Sequence, residues 1–153
     1  MTEKNTLEYE QLRKILPHAY PFILIDRVED YKAGESLVAV KNVTGNEWAQ
    51  DNSMFNVKFF PETLMIEAAA QAAIVLYHVT KVMPGEQRPR YYLGRTKAEF
   101  FDLVKPGDEI KLKMANGKIM DAGGYTDATL SVGSTKIADL ELIFKVERSH
   151  GNK

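Results

Sequence analysis

Glu67 is the residue whose surroundings most clearly suggest chemistry. It is the single carboxylate within the most apolar stretch of the chain, residues 64–79, and Gln71 follows it four positions later. In a helix, positions i and i+4 lie on the same face, so Gln71 is placed to orient Glu67 or to bond a neighbouring backbone group. Burial opposes ionisation of this carboxylate, whereas the positive end of a helix dipole favours it. Such a balance suits a group that takes up and releases a proton.

The rest of the composition narrows the chemistry. The chain has 153 residues, no Cys and three His, and its 20 Lys and Arg nearly balance 21 Asp and Glu. Without Cys there can be no disulfide, thiolate zinc site or cysteine nucleophile, and three scattered His do not suggest a metal cluster. The near-zero net charge argues against nucleic-acid or anionic-membrane binding. We therefore expect no metal and no nucleic-acid partner, with catalysis resting on carboxylates, hydroxyls, amides or a lone His.

The elements that must position Glu67 follow from the periodicity of the sequence. Thr6 is predicted to cap a short helix that Pro17 ends, and residues 61–79 predict a long helix buried on most sides. Runs of β-branched residues bounded by turn residues predict six strands. These strands span residues 22–28, 36–44, 91–101, 108–115, 125–132 and 136–146, with Asn116-Gly117 and Gly123-Gly124 among the predicted turns.

The order of these elements is typical of an α+β fold. One long apolar helix among six strands suggests a curved antiparallel sheet wrapped around that helix. The length predicts a single domain over residues 1–153, with a core from about residue 16 to 146 and a disordered tail at 149–153. The start of the chain lacks the apolar region of a secretion signal, and residues 64–79 are too short and too polar for a membrane span. We expect a cytoplasmic protein without membrane insertion.

Four blocks of the sequence resemble, in order and spacing, the β-hydroxyacyl-ACP dehydratases of fatty-acid synthesis, which have the hotdog fold. The blocks are LPHAYPFILIDRV (16–28), KNVT (41–44), IEAAAQA (66–72), and KAEF (97–100) followed by KPGD (105–108). The resemblance implies an antiparallel sheet around a long central helix. It also implies a homodimer or higher assembly, with an acyl tunnel at the interface between subunits.

The resemblance further implies a catalytic pair. The family combines a His on the segment before the long helix with a Glu in the first turns of that helix, and Glu67 matches the Glu. Counting back without a gap, Ser53 occupies the position of the family His, in the segment Asn52-Ser-Met-Phe-Asn56. In the family the His acts as base, the Glu handles the leaving hydroxyl, and a backbone N–H polarises the thioester carbonyl. We therefore predict an altered active site built on Glu67.

Other candidate residues are assigned with the same family in view. Substrate contacts are predicted for Asn52, Asn56, Gln71, Phe22 and Phe100, and contacts with an acidic carrier protein for Arg88, Arg90, Arg95 and Lys97. His18 lies apart from the family's catalytic pair, and we interpret both His18 and His78 as structural.

Three functions fit these residues. The first is a dehydratase-like enzyme acting on (3R)-hydroxyacyl thioesters carried by acyl carrier protein, in fatty-acid, polyketide or related lipid biosynthesis. The second is an acyl-ACP or acyl-CoA thioesterase in which Glu67 activates water or attacks the acyl carbonyl. The third is a non-catalytic or half-site subunit that lends Glu67 to a His-bearing homologue in a heterodimer. We favour the first, and expect acyl carrier protein or a CoA thioester as partner and no cofactor.

Overall fold

The computed structural model describes residues 3–47 and 59–149. Over these residues the chain forms two helices and six strands, in the order that the periodicity predicts. The helices are α1 (Tyr9–Ile15) and α2 (Glu62–Lys81), and the strands are β1 (Arg27–Lys32), β2 (Ser36–Asn42), β3 (Arg90–Phe100), β4 (Glu109–Met120), β5 (Gly123–Val132) and β6 (Thr135–Glu147).

The six strands form one antiparallel sheet in the order β1-β2-β4-β5-β6-β3. Side chains alternate between its faces, as in β6, where Ala138, Leu140 and Leu142 are buried and Glu141 is exposed. The buried face packs against α2, which contacts β2, β3, β4, β5 and β6. The predicted α+β architecture, a hotdog fold with a sheet around a long helix, is confirmed.

Helix α2 owes its central position to small apolar side chains. Ala68, Ala69, Ala72 and Ala73 are all buried, so the helix backbone can approach the sheet closely. Alanine is also the best helix former, and a proline immediately before the first turn is compatible with helix initiation. Among the residues described, α2 is the one helix long and apolar enough to cross a membrane by length and composition. Its burial in the core of the sheet accounts for that composition.

The first strand begins later than its β-branched residues predict. Residues 22–26 lie outside the strand, and β1 starts only at Arg27. The reason is that the backbone of this segment bonds to a side chain, since Leu24 N–H donates to Gln71 Oε1 and Phe22 O accepts from Gln71 Nε2. A backbone that is satisfied in this way does not need a neighbouring strand, and bonding to β2 begins only where Asp26 N–H donates to Val40 O.

Strand β4 continues through the dipeptide Asn116-Gly117, where a turn is predicted. These residues form a bulge between Ala115 and Lys118, and the chain reverses direction only after Met120. Asn116 takes up a left-handed conformation with φ of 56°. A Cβ on Gly117 would lie 2.0 Å from the carbonyl oxygen of Tyr125, so only glycine fits against the neighbouring strand.

Helix α1 also begins later than predicted. Its N-cap is Glu8, whose backbone N–H donates to Gln11 Oε1 over 2.8 Å, so Thr6 is not the cap. Leu7 is drawn out of the helix because it exchanges two backbone hydrogen bonds with Val28. The helix contacts α2, and its Leu12 and Ile15 are buried.

Two predictions fall wholly or mainly outside the described residues. Most of the irregular segment before α2 does so, since residues 48–58 are not described, and so does the tail beyond Ser149.

Candidate active site

Glu67 lies in the second turn of α2, and its carboxylate is contacted by two side chains. His18 Nε2 lies 2.9 Å from Glu67 Oε1, and Gln71 Nε2 donates to the same oxygen over 3.3 Å. The His18 and Glu67 side chains are 20% and 28% exposed, so the pair lies at the boundary between solvent and core. An imidazole and a carboxylate in direct contact can exchange a proton without an intervening water.

Gln71 is fully buried, and both N–H groups of its amide are bonded within the protein. Its two N–H groups donate to Phe22 O and Glu67 Oε1, and its Oε1 accepts from Leu24 N–H. This agrees with the expectation that a residue one turn after Glu67 orients it or bonds a neighbouring backbone. The amide nitrogen therefore has no N–H group left to donate. Direct contact between Gln71 and a substrate stays a prediction.

An apolar cavity of about 130 Å³ lies beside the pair. Its lining consists of Pro17, His18, Glu67, Ala70, Ala73, Ile74, Tyr91, Tyr92, Leu93, Leu142 and Phe144. For comparison, a cavity of roughly 150 Å³ lined by apolar side chains holds a benzene molecule. The cavity can therefore receive a short acyl chain while the reacting carbons lie beside His18 and Glu67.

Two tyrosines of the lining are less suited to proton transfer. Burial raises the pKa of Tyr91 to about 12, and its hydroxyl has no hydrogen-bond partner among the described residues. Tyr92 donates its hydroxyl hydrogen to Glu147 over 3.1 Å. Of the polar side chains in this lining, His18 and Glu67 are therefore the pair in direct contact and placed for proton transfer.

The predicted substrate-contact residues fall into different places. Phe22 is partly buried and packs its ring at 5.9 Å from that of His18, while Phe100 lies at the far end of β3, opposite Ala138 of β6. Neither of these aromatic rings belongs to the cavity lining described above. Asn52, Ser53 and Asn56 lie outside the described residues.

The four predicted carrier-binding residues do not form a single cluster. Arg88 Nη1 donates to the backbone carbonyl of Leu16 over 2.9 Å, so this side chain is held against the chain itself. Arg90, Arg95 and Lys97 are exposed on β3, and Arg95 and Lys97 both line a surface groove with Glu141 and Ile143.

A buried ion pair lies at the start of the irregular segment. Lys41 Nζ lies 2.8 Å from Glu47 Oε1, with side chains only 9% and 10% exposed, and the ammonium lies 5.5 Å from the centre of the Phe60 ring. Asp26 is nearby and accepts a hydrogen bond from Asn42 N–H, yet burial raises its pKa above the ordinary value. Lys41 thus contacts residues on both sides of the segment that precedes α2. Glu47 lies before that segment, and Phe60 lies after it, next to Pro61.

The contact between His18 and Glu67 is the feature that sequence reasoning missed. The two residues are separated by 49 positions, and the spacing of the sequence carries no signal that would join them. The one available sign was that the block containing His18 is interrupted by Pro17 and Pro21, which favours an irregular segment able to reach a helix. Within the described ranges, no group of three or more His, Asp or Glu is placed to hold a metal ion.

Comparison with known proteins is consistent with this geometry. Residues 16–143 match the FabA-like domain. The chain is 38% identical over 145 residues to the 3-hydroxyacyl-[acyl-carrier-protein] dehydratase FabZ of Chlamydia trachomatis serovar L2, covering 94% of this chain and 95% of that protein.

Two solved structures share the fold at low sequence identity. The dehydratase heterocomplex ApeI:P from Xenorhabdus doucetiae matches with a TM-score of 0.73 and 16% identity, over 92% of this chain and 91% of that chain. A mutant thioesterase from Pseudomonas aeruginosa matches with a TM-score of 0.68 and 14% identity, over 93% and 95%. Because the fold accommodates both kinds of enzyme, the sequence relationship decides the family. The chain belongs to the FabA-like hotdog family, together with the 3-hydroxyacyl-[acyl-carrier-protein] dehydratase FabZ.

Proposed function

We propose that this protein removes water from (3R)-3-hydroxyacyl thioesters carried on acyl carrier protein, giving the enoyl thioester. The observation that carries the proposal is the hydrogen-bonded carboxylate of Glu67 beside an apolar cavity, within a chain that belongs to a dehydratase-containing family. The elimination breaks one C–H and one C–O bond, so the site must accept one proton and donate another. A partly exposed carboxylate in contact with an imidazole supplies two groups able to do this.

The cavity supports an acyl substrate of limited length. Its walls are mainly Ala, Ile, Leu and Phe side chains, which offer no hydrogen bonds to a polar tail. With a volume of about 130 Å³, it has room for a short acyl chain of roughly benzene size beyond the reacting carbons. We therefore expect short 3-hydroxyacyl thioesters to be the best substrates of this protein.

The carrier would approach along the outer face of β3. Arg90, Arg95 and Lys97 are exposed there, and basic side chains of this kind attract an acidic carrier protein. Arg88 is a weaker candidate for this role, since its guanidinium is already bonded to Leu16 O.

The assembly that we propose is a homodimer or higher oligomer in the cytoplasm. Strand β3 is an edge of the sheet and, over the described ranges, pairs only with β6, so a second copy can extend the sheet along it. A heterodimer with a His-bearing homologue is the alternative, since Ser53 occupies the position of the family His.

Activity measurements on the purified protein test the proposal. The substrates are (3R)-3-hydroxybutyryl and butyryl thioesters of acyl carrier protein, assayed for enoyl product and for free thiol. We expect enoyl product from the first substrate and no thiol release from either. Glu67→Gln should abolish the elimination, whereas Glu62→Gln, which changes an exposed carboxylate in the first turn of the same helix, should not.

Two results would contradict the proposal. Release of thiol from butyryl thioester that depends on Glu67 would assign the protein as a thioesterase. Enoyl formation only after a His-bearing homologue is added would assign it as a half-site subunit.

A further inference from the structure

The segment that carries His18 is held at both of its ends. On one side, Arg88 Nη1 bonds to Leu16 O over 2.9 Å, across 72 positions of the chain. On the other side, the buried amide of Gln71 bonds to Phe22 O and Leu24 N–H. Five residues, 17–21, therefore lie between two fixed points, and His18 is near the first of them.

These contacts hold the His18 imidazole beside the Glu67 carboxylate. The ring of Phe22 lies at 5.9 Å from the His18 ring with an interplanar angle of 32°, which limits the space in which the imidazole can rotate. The contact of His18 Nε2 and that of Gln71 are both made to Glu67 Oε1, and Oε2 accepts no hydrogen bond from the described residues. Groups restrained by such a supporting shell are suited to catalysis, because little reorganisation is needed when the reaction occurs.

We propose that His18 is a second catalytic residue of this chain and acts as the general acid that protonates the leaving hydroxyl. The proposal rests on the proposed dehydratase function. It supplies a second acid–base group where the family His position carries Ser53, and it makes Glu67, instead of a His, the base. His18 lines the cavity together with Glu67, so both side chains can touch the same substrate. The tyrosines of the lining are poorer donors, because the hydroxyl of Tyr91 is buried with a raised pKa and that of Tyr92 is bonded to Glu147.

The elimination then needs only one proton, shared by the two residues. Glu67 Oε2, as carboxylate, takes the proton from the carbon beside the thioester carbonyl, and the electron pair of that C–H bond forms the C=C bond. The C–O bond breaks at the neighbouring carbon, and the Nε2–H of protonated His18 transfers its proton to the departing oxygen, which leaves as water. Rotation of the Glu67 carboxyl group then exchanges its two oxygens, the proton passes from Glu67 to His18 Nε2, and the pair is restored.

A general acid can be identified by changing the leaving group. The experiment compares the wild type with His18→Gln, using the N-acetylcysteamine thioesters of 3-hydroxybutyrate and 3-chlorobutyrate. Chloride can leave without being protonated, whereas the hydroxyl group must be protonated so that it leaves as water. We expect His18→Gln to lower enoyl formation from the hydroxy substrate by about 100-fold or more, and to leave elimination from the chloro substrate within a few-fold of wild type after correction for the uncatalysed rate.

Two controls separate this effect from damage to the structure. His78→Gln removes the imidazole at the other end of α2, outside the cavity, and should leave both rates unchanged. Glu67→Gln should lower both rates, because the base is needed for either leaving group.

Each remaining outcome overturns a specific part of the assignment. Equal loss of both reactions in a folded His18→Gln protein would reduce His18 to a structural or positioning role. If His18→Gln keeps both reactions at the wild-type rate, His18 has no role in catalysis, while the dehydratase function stands. If the wild type forms no enoyl product from either substrate, the proposed function fails, and the assignment of His18 fails with it.

Discussion

The side chain of Gln71 donates a hydrogen bond of 2.7 Å to the backbone carbonyl of Phe22 and accepts one of 2.9 Å from the backbone N–H of Leu24. Its second amide hydrogen contacts Glu67 over 3.3 Å. A single buried amide thus joins the entry of the first strand to the central helix and to the candidate acid–base group. This relationship explains why the backbone at Phe22 and Leu24 needs no strand partner and why His18 is held near Glu67.

Replacing Gln71 by Leu should destabilise the protein. The substitution leaves Leu24 N–H buried without its acceptor, and such a group costs about 1–3 kcal/mol. We expect the free energy of unfolding, measured with urea, to fall by about 1–3 kcal/mol. Gln87→Leu is the matched control, since Gln87 is exposed, and should change stability little. A Gln71→Leu protein as stable as the control would show that the amide does not hold this segment.

Enlarging Ala70 should restrict the length of acyl chain that the enzyme accepts. Ala70 lies three residues after Glu67 and lines the cavity, so Ala70→Leu fills part of its volume. One methylene of misfit in an apolar pocket changes kcat/KM by roughly 10- to 200-fold. We expect the ratio of kcat/KM for 3-hydroxyhexanoyl to that for 3-hydroxybutyryl thioester to fall by about tenfold or more. An unchanged ratio would mean that the acyl chain lies elsewhere.

Removing one partner of the buried pair between Lys41 and Glu47 should destabilise the protein strongly. Lys41→Met leaves the Glu47 carboxylate buried without its counter-ion, and such a change costs about 3–5 kcal/mol. The double variant Lys41→Met/Glu47→Leu removes both charges and should regain most of that loss, because the desolvation of two ions is avoided. Urea unfolding of the two single variants and the double variant measures this coupling. If the losses of the single variants simply add, the ion pair is not coupled as its geometry indicates.

Asp26 should make stability depend on pH. Burial, the largest cause, raises the pKa of this carboxyl above its ordinary value near 3.8, so the folded state binds the proton more tightly than the unfolded state. Stability from this group is therefore fully present below the unfolded pKa and is lost as pH rises through the folded pKa. Asp26→Asn removes the charge and keeps an oxygen that can accept from Asn42 N–H.

The variant should consequently be at least as stable as wild type at pH 7. Its advantage should shrink as pH falls toward 3.8 and the Asp26 carboxyl of the wild type becomes protonated. Urea unfolding of both proteins at a series of pH values measures the difference. A variant that is clearly less stable at pH 7, with the gap closing in acid, would show that the ionised form of Asp26 is favoured in the folded protein.

Much of the architecture could be predicted because it depends on local patterns. The alternation of residues 136–146 and the apolar helix that contains Glu67 are set by burial, and burial leaves a periodic trace in the sequence. The order of two helices and six strands followed directly. Local signals failed where a non-local contact intervened, as at Asn116-Gly117. There the neighbouring strand β5 accommodates a bulge, and a turn is not needed.

For the candidate site, the sequence by itself determined the family, the carboxylate of Glu67 and the apolar helix that presents it. Only the tertiary structure decided which groups meet that carboxylate. His18 reaches Glu67 across 49 positions because Arg88 and Gln71 hold the backbone on either side of His18. Hydrogen bonds between distant residues depend on how the helix and the sheet pack together, and no spacing along the chain records that arrangement.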